Sequence, residues 1–266
     1  MKTGLLEGKV ALITGTGGDQ GRAAALAFAR EGAIVVGCDI NTDASRQTVA
    51  MVEAQGATMR SLEPINLAEP TEARQWVDYA VSEFGGIDIL YNNAGALFAR
   101  GPFAESTLDE WDLTLRNELT LLYVATHAAW KHLIDRGGGV ILNTASVSAY
   151  LEYMPQRSAA HGATKAGVLA FTRMLAAEGA SHGIRAVSIS PGLIRTRATQ
   201  RFFDGTPEQR RTGEKMIAKV PLGRAGECED ISEVAVFLAS SRASYINATD
   251  ILVDGGVRGV SYTAHE

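Results

Sequence analysis

The sequence predicts an α/β fold in which helices cover both faces of one parallel sheet, an arrangement called doubly wound. Seven short apolar runs recur along the 266 residues, and their lack of polar alternation is typical of strands buried on both faces. Segments with helical periodicity separate these runs, and no linker or repeat interrupts the alternation. We therefore expect a single domain over residues 1–266, built on a seven-stranded sheet.

The predicted elements alternate regularly along the chain, and glycines mark the ends of several helices. The predicted strands cover residues 9–14, 33–39, part of 58–67, 87–91, 140–143, 184–190 and 250–254. The predicted helices cover a segment ending near Gly32, then 43–55, 72–84, 107–134, a segment that carries His161 and Lys165, and 230–240.

The composition argues against several classes of protein. A formal net charge of −5 does not suggest a surface that binds nucleic acid. Cys38 and Cys228 lie far apart, which favours reduced, buried thiols over a disulfide or a metal site. The first residues lack the layout of a signal peptide, and no apolar run approaches the roughly 20 residues that span a membrane. We expect a cytoplasmic protein with a small-molecule substrate and no metal.

The first predicted strand leads into a glycine-rich turn, then a helix, then a second strand that ends in Asp39. Glycines such as Gly15 and Gly21 let the backbone approach a pyrophosphate, and the helix N-terminus offers N–H groups and a positive dipole. A carboxylate at Asp39 accepts hydrogen bonds from a ribose diol, so this order predicts a dinucleotide site. Asp39 would repel a 2′-phosphate, and neither Gly18 nor Ile40 is basic. The sequence therefore favours NAD over NADP.

A second group of polar residues lies between residues 140 and 171. Ser146 follows a predicted strand, and His161 and Lys165 stand four residues apart on the next helix. Residues at this spacing share one face of a helix. Ligands bind outside the carboxyl ends of parallel strands, so all three side chains are expected to reach one pocket.

These motifs resemble those of the short-chain dehydrogenase/reductase family, whose members have a Rossmann-like fold and bind NAD(P). The resemblance covers nearly the whole chain, and its motifs are Thr14-Gly15 with Gly21, Asn92-Asn93-Ala94-Gly95, Ser146 with Lys165, Pro191-Gly192, and Asp254-Gly255-Gly256. In the family the Ser holds the substrate oxygen, a Tyr transfers the proton, and the Lys lowers the pKa of the phenol and grips the cofactor ribose. Asn117 stands at the position of the family's structural and catalytic Asn.

The resemblance also implies a set of cofactor contacts around the carboxyl ends of the strands. These are Gly15, Thr16, Gln20, Gly21, Asp39, Ile40, Asn66, Leu67, Asn93, Ala94, Gly95, Lys165, Pro191, Gly192, Ile194 and Thr196. Residues from about 195 to 220 correspond to the family's variable substrate lid. Family members usually form dimers or tetramers, so the resemblance implies a homodimer or homotetramer.

Two residues depart from the family pattern, and both occupy functional positions. Asp19 replaces the middle glycine of the turn, where a carboxylate would repel a pyrophosphate unless it points away. His161 replaces the catalytic Tyr. A neutral imidazole accepts a proton more readily than it donates one near neutral pH. We therefore expect His161 to act as the base in alcohol oxidation, with Ser146 positioning the hydroxyl.

The sequence thus predicts an NAD-dependent oxidoreductase that acts on a secondary alcohol or ketone. Aromatic residues near the predicted pocket suggest an apolar or aromatic substrate, and those proposed to contact it are Tyr150, Tyr153, Phe98 and Phe202. Two alternatives stay open at this point. One is a lyase or hydrolase that uses Ser146 and His161 on the same fold. The other is a catalytically silent subunit that binds a cofactor or a partner chain.

Overall fold

The computed structural model describes residues 4–152 and 158–260, and its centre is a single sheet of seven parallel strands. The strands are β1 (Val10–Thr14), β2 (Ile34–Cys38), β3 (Met59–Leu62), β4 (Ile89–Asn92), β5 (Gly139–Thr144), β6 (Ile184–Pro191) and β7 (Asp250–Val253). Their order across the sheet is β3-β2-β1-β4-β5-β6-β7. The predicted seven-stranded α/β fold is confirmed.

Helices connect the strands on both faces of the sheet. They are α1 (Asp19–Arg30), α2 (Thr42–Glu53), α3 (Pro70–Phe84), α4 (Leu108–Leu115), α5 (Leu121–Asp135), α6 (Ala159–Gly179), α7 (Arg201–Asp204), α8 (Pro207–Ile217) and α9 (Cys228–Ala239). Among the residues described, none of the helices combines the length and the apolar character that crossing a bilayer requires.

The order of the strands reverses at β1, which pairs with β2 on one side and with β4 on the other. Every residue of β1 is buried, and its register places Val10 beside Ile34 and Ala11 beside Ile89. The chain leaves β1 and β4 in opposite directions across the sheet. A crevice therefore opens beyond the carboxyl ends of these two strands, where α/β proteins of this type bind ligands.

Each face of the sheet has its own apolar core. Helices α1 and α9 pack against one face, and their buried side chains include Phe28 and Ile231. Helices α3, α5 and α6 cover the other face with residues such as Trp76 and Leu122. The indole of Trp76 donates a hydrogen bond to the carbonyl of Gly37 at 2.9 Å, so its one polar atom is satisfied within the core.

A chain of buried polar side chains joins the middle of the sheet to two of these helices. The Asn92 amide donates to Asn143 at 2.9 Å and to Thr126 at 3.0 Å. The Asn143 amide donates in turn to Thr172 at 2.9 Å. Buried polar groups must find partners, so this network fixes β4, β5, α5 and α6 relative to one another next to the predicted catalytic site.

The single helix predicted over residues 107–134 is interrupted at its centre. A capping box between Thr107 and Glu110 starts α4, but residues Arg116–Thr120 form a π-helical turn before α5 begins. The wider turn changes the register of the backbone hydrogen bonds, and the carbonyl of Asn117 accepts one from the N–H of Ala96 at 3.2 Å. Periodicity did not reveal the interruption because apolar residues continue on both sides of it. Such turns occur frequently at functional sites.

The segment predicted as a lid, from about residue 195 to 220, contains the short helices α7 and α8. Phe202 and Met216 are buried against Leu193 and Val220 in a third, smaller apolar cluster. The segment therefore has its own packing, and it follows the carboxyl end of β6 beside the crevice.

Both cysteines are buried and unpaired, in agreement with the sequence-based expectation. Burial is the main reason that the pKa of each thiol is raised, to about 12 for Cys228. Thiols in this state are poor nucleophiles.

Asp88 links three elements at the edge of the sheet opposite the crevice. Its carboxylate accepts hydrogen bonds from the N–H of Val10 at 3.0 Å, from the guanidinium of Arg136 at 3.1 and 3.2 Å, and from Lys9 at 3.2 Å. Burial alone would raise the pKa of Asp88. The hydrogen bonds from Arg136 and Val10 and the charge of Lys9 outweigh burial and hold that pKa below its ordinary value.

We predict that Asp88→Asn lowers the free energy of unfolding by about 1–3 kcal/mol near neutral pH. Because the pKa of Asp88 is lower in the folded than in the unfolded chain, its contribution is complete above about pH 4 and is lost as the pH falls through the folded-state value. Urea unfolding of both proteins at several pH values tests this. The difference between them should shrink in acid, and a difference independent of pH would contradict the prediction.

Candidate active site

A cavity of about 530 Å³ opens beyond the carboxyl ends of β1, β2 and β4, where the crevice was expected. Most of the predicted cofactor contacts line it, together with several neighbours. Its lining residues are Gly15, Gly17, Gly18, Asp19, Gln20, Gly21, Cys38, Asp39, Ile40, Asn41, Ile65, Asn66, Leu67, Asn93, Ala94, Gly95, Ala96, Asn117, Leu121, Thr196, Arg197 and Ala198.

The glycine turn between β1 and α1 forms one wall of this cavity. Gly15 adopts a φ of +73°, which disfavours other residues. A Cβ atom at Gly21 would lie only 2.0 Å from the carbonyl oxygen of Gly15, so only glycine fits there. Gly18 precedes α1 without a side-chain cap, which leaves the N–H groups of the first turn available to an anion. This wall has the shape and polarity of a pyrophosphate cradle.

Asp39 lies at the end of β2 and faces the cavity beside Ile40. One carboxylate oxygen accepts the N–H of Gly17 at 2.8 Å, and the other accepts the N–H of Asn41 at 2.8 Å. A carboxylate has about four acceptor positions, so two stay available for ribose hydroxyls. These bonds also hold the glycine turn against β2.

The carboxylate of Asp19 is paired, so it does not present an unpaired negative charge to the pyrophosphate cradle. The carboxylate accepts the backbone N–H of Arg197 at 2.6 Å and the Nε–H of the same residue at 2.8 Å. Arg197 also donates from Nη2 to the carbonyl of Gly17 at 2.7 Å. Arg197 therefore neutralises Asp19 and connects the glycine turn to the segment that follows β6.

Five of the predicted cofactor contacts do not line the cavity: Thr16, Lys165, Pro191, Gly192 and Ile194. The hydroxyl of Thr16 is buried against Ser45 at 3.1 Å, and Ile194 is buried in an apolar core. Their contacts with a cofactor stay predictions. Asn66 lines the cavity, and its side-chain oxygen accepts the N–H of Ala68 at 3.1 Å.

The predicted catalytic residues come from three elements, and of the four only Asn117 lines the cavity. Lys165, on α6, is buried and donates to the carbonyl of Thr144 at the end of β5, at 3.1 Å. Ser146 follows β5, and its hydroxyl accepts the N–H of Ser148 at 3.1 Å. A Cβ atom added to Gly95 would lie 3.7 Å from the Lys165 ammonium and 3.9 Å from the carbonyl oxygen of Asn117. Lys165 and the carbonyl of Asn117 thus both lie next to Gly95 in the cavity wall.

The imidazole of His161 contacts a carboxylate that the sequence analysis missed. His161 Nδ1 lies 2.8 and 2.9 Å from the two carboxylate oxygens of Glu118, and the Thr164 hydroxyl donates to Glu118 at 2.6 Å. Glu118 belongs to the π-helical turn, and its side chain is almost completely buried. A signal was present in the sequence, because Glu118 continues the apolar stripe formed by Leu121, Leu122 and Ala125.

Glu118 carries a negative charge despite its burial. Burial alone would raise the pKa of Glu118, but the cation of Lys165 and the hydrogen bonds from His161 and Thr164 outweigh it and hold the pKa below its ordinary value. An ionised carboxylate only accepts hydrogen bonds, so Nδ1 of His161 must carry a proton. In the neutral imidazole the lone pair is then on Nε2.

The residues proposed to contact the substrate are spread more widely. The Tyr150 hydroxyl donates to Asp250 at 3.0 Å, and burial together with Asp250 raises the pKa of Tyr150 to about 12. Phe202 is buried in the third apolar cluster, whereas Phe98 is partly exposed. Tyr153 lies outside the described residues. The structure does not gather Phe98, Tyr150 and Phe202 into one wall, and the contacts of all four residues with a substrate stay predictions.

In the part of the chain that the structure describes, no three His, Cys, Asp or Glu side chains are arranged to hold a metal ion. A doubly wound sheet with a glycine-lined cavity at its switch point defines a Rossmann-like fold.

Comparison with known proteins identifies the family. A family model described as enoyl-(acyl carrier protein) reductase matches residues 20–258. D-threitol dehydrogenase of Mycolicibacterium smegmatis is 34% identical over 252 residues, which cover 94% of this chain and 93% of that protein. Cyclohexanol dehydrogenase of an Acinetobacter species (strain SE19) is 33% identical over 247 residues, with coverage of 93% and 94%. The chain belongs to the short-chain dehydrogenase/reductase family, whose relatives found here are oxidoreductases.

A solved structure also matches the whole fold. It is 7α-hydroxysteroid dehydrogenase in complex with NADH and 7-oxo glycochenodeoxycholic acid, with a TM-score of 0.86 and 30% sequence identity. The match covers 94% of each chain.

Two glycines of the cavity wall provide a test of the close packing at the turn. We predict that Gly21→Ala lowers the free energy of unfolding by about 1–3 kcal/mol, because the clash with the Gly15 carbonyl exceeds the gain in helix propensity. Gly95→Ala is the matched control, since its new methyl group would have no contact closer than 3.7 Å. Urea unfolding should show a change within about 0.5 kcal/mol for Gly95→Ala. Equal losses for both variants would contradict the prediction.

Proposed function

We propose that this protein is an NAD-dependent oxidoreductase that oxidises a secondary alcohol of an apolar or aromatic substrate, with His161 as the proton acceptor. The observation that carries the proposal is the contact between His161 Nδ1 and the ionised Glu118, which leaves Nε2 as the basic atom. The lyase and hydrolase alternatives would use the same imidazole. Membership of a family of oxidoreductases favours redox chemistry.

The residues around the cavity fit a nicotinamide dinucleotide. The uncapped start of α1 and the space left by Gly21 suit a pyrophosphate, and Asp39 suits a ribose diol. Among the described residues that line the cavity, Arg197 is the one basic side chain, and Asp19 already pairs with it. This supports NAD over NADP, because a 2′-phosphate would lack a free cation beside Asp39. The relative with bound NADH is consistent with this choice.

The proposed reaction divides the work among three side chains. Ser146 holds the substrate hydroxyl at the end of β5, and His161 Nε2 removes its proton, which gives an imidazolium beside Glu118. Bound NAD supplies the acceptor for the hydride that leaves the carbinol carbon as the carbonyl bond forms. Lys165 contributes a fixed positive charge next to Glu118 and the carbonyl of Asn117. The ketone has no further proton to give, so one turnover leaves one proton on His161.

The substrate class rests on the side chains near the crevice and on the names of relatives. Phe98 is partly exposed, and the lid segment carries the apolar cluster around Phe202. Two of the matched proteins are named for cyclohexanol and for a hydroxysteroid, both secondary alcohols on apolar rings. Another relative is named for D-threitol, a more polar alcohol.

Assembly and location belong to the same proposal. Tyr123 on α5 and Met174 on α6 are more than half exposed, and such residues on neighbouring helices suit a contact between two copies of the chain. A cytoplasmic homodimer or homotetramer would cover them. The buried, unpaired thiols of Cys38 and Cys228 are compatible with a reducing compartment.

We predict that the protein binds NADH more tightly than NADPH and that Arg197 is needed for this affinity. In Arg197→Ala the unpaired Asp19 would repel the pyrophosphate by about 1–2 kcal/mol, which weakens NADH binding roughly 5- to 30-fold. Titration of nicotinamide fluorescence measures both effects.

The matched control for this experiment removes both charges. Asp19→Asn combined with Arg197→Ala should recover most of the lost affinity, because no unpaired carboxylate stays near the phosphates. Tighter binding of NADPH would show that the assignment of the cofactor is wrong. Unchanged NADH affinity in Arg197→Ala would show that the ion pair does not influence the cradle.

We predict that His161→Asn abolishes most of the oxidation of a cyclic secondary alcohol while leaving NADH affinity and stability intact. The Asn amide can still donate to Glu118 in place of Nδ1–H, but it offers no base at the Nε2 position. Turnover should fall by about 10²- to 10⁴-fold. In the wild type, oxidation should rise with pH as the catalytic base loses its proton. A rise confined to values above about pH 9 would indicate a phenol instead.

A further inference from the structure

The environment of Glu118 is energetically unfavourable for a carboxylate that lacks partners. Its side chain is 4% exposed, and the carboxylate is ionised between the imidazole of His161, the hydroxyl of Thr164 and the ammonium of Lys165. A buried charge that lost these partners would destabilise the fold strongly. This buried carboxylate lies beside His161, the residue that replaces the proton-transferring Tyr of the family.

The geometry fixes the orientation of the imidazole as well as its tautomer. Both carboxylate oxygens lie within 2.9 Å of Nδ1, and Thr164 holds one of them at 2.6 Å. The backbone N–H of His161 also donates to the Ser158 hydroxyl, the N-cap of α6, at 3.2 Å. The ring is thus held at its Nδ1 side. Nε2 forms no hydrogen bond with any residue that the structure describes.

We infer that Glu118 is the positioning residue for His161: it holds the proton on Nδ1, aims Nε2 at the substrate and stabilises the imidazolium formed in turnover. The inference rests on the proposed role of His161 as the base. In the step itself, the substrate proton binds to the lone pair of Nε2, the Nδ1–H bond stays intact, and the positive charge of the ring faces the carboxylate. Removing Glu118 therefore removes both the orientation and the counter-charge.

The inference also predicts that positions 118 and 161 depend on each other. A phenol at position 161 has no donor at the place of Nδ1, so His161→Tyr would remove one of the hydrogen bonds to Glu118 and put a ring carbon against the carboxylate. Restoring the residue that is typical of the family should therefore fail by itself. A tyrosine becomes acceptable only when the buried carboxylate is removed as well, as in His161→Tyr combined with Glu118→Leu.

The first experiment reads the tautomer without reference to catalysis. The full-length protein, labelled with ¹⁵N-histidine, is examined by NMR above the pH at which its imidazoles titrate, and His161→Asn identifies the His161 signals. We expect a proton on Nδ1 and a lone pair on Nε2 in the wild type. The preference should weaken in Glu118→Gln. A proton on Nε2 in the wild type would overturn the inference.

The second experiment compares kinetics with a matched control. Glu118→Gln should lower kcat by about 10²- to 10⁴-fold and change the pH dependence of oxidation, while NADH binding stays unchanged. In the described part of the chain, Glu118 is the charged group that contacts the imidazole, and the Lys165 cation acts on that carboxylate, so the neutral variant removes the counter-charge of both. Asp88→Asn is the control, since it removes another buried carboxylate far from the site. It should lose stability but keep kcat and the pH profile.

The outcomes separate this inference from the proposed function. If His161→Asn stays fully active, the role of His161 is wrong whatever Glu118 does. If His161→Asn is inactive but Glu118→Gln retains its kcat and pH profile, only the positioning role of Glu118 is wrong. Thermal unfolding adds a readout independent of activity: His161→Tyr should have a lower Tm than wild type, and the double variant with Glu118→Leu should regain it. A stable His161→Tyr single variant would contradict the dependence between the two positions.

Discussion

A parallel sheet brings the carboxyl ends of all its strands to one edge, and every functional feature of this protein depends on that constraint. The glycine turn follows β1, Asp39 follows β2, the Asn93-Ala94-Gly95 turn follows β4, and Ser146 follows β5. Residues separated by more than 100 positions therefore meet around one cavity. The opposite edge, where Asp88 pairs with Arg136 and Lys9, stabilises the sheet without touching the site.

One irregular helical region adds further residues to those at the carboxyl ends of the strands. In an unbroken α-helix, neighbouring residues point about 100° apart. The π-helical turn at Arg116–Thr120 lets the Asn117 carbonyl accept the N–H of Ala96 while the Glu118 side chain reaches His161. Burial of an ionised Glu118 is possible because Lys165, His161 and Thr164 share its charge. His161, which stands in place of the family's Tyr, is thus paired with a carboxylate, Glu118, from a distant part of the chain.

Much of this architecture was predictable from the sequence, and the parts that were not have physical reasons. Apolar runs predicted the positions of the seven strands closely, because a parallel strand buried on both faces consists almost entirely of apolar residues. The π-helical turn was missed, since periodicity continues across it. The pairing of Asp19 with Arg197 joins residues 178 positions apart, and the contact of Glu118 with His161 joins residues 43 apart. Contacts of this kind depend on tertiary packing, which no local pattern encodes.

The ion pair between Asp19 and Arg197 differs from the contact between Glu118 and His161 in its exposure to water. The Arg197 side chain is 59% exposed and that of Asp19 is 25% exposed, whereas Glu118 is 4% exposed. Dissolved ions screen exposed charges over a Debye length of about 8 Å at physiological ionic strength and affect buried pairs much less. The junction between the glycine turn and the segment after β6 is therefore the salt-sensitive part of the cavity. The geometry of His161 is insulated from the ionic strength of its surroundings.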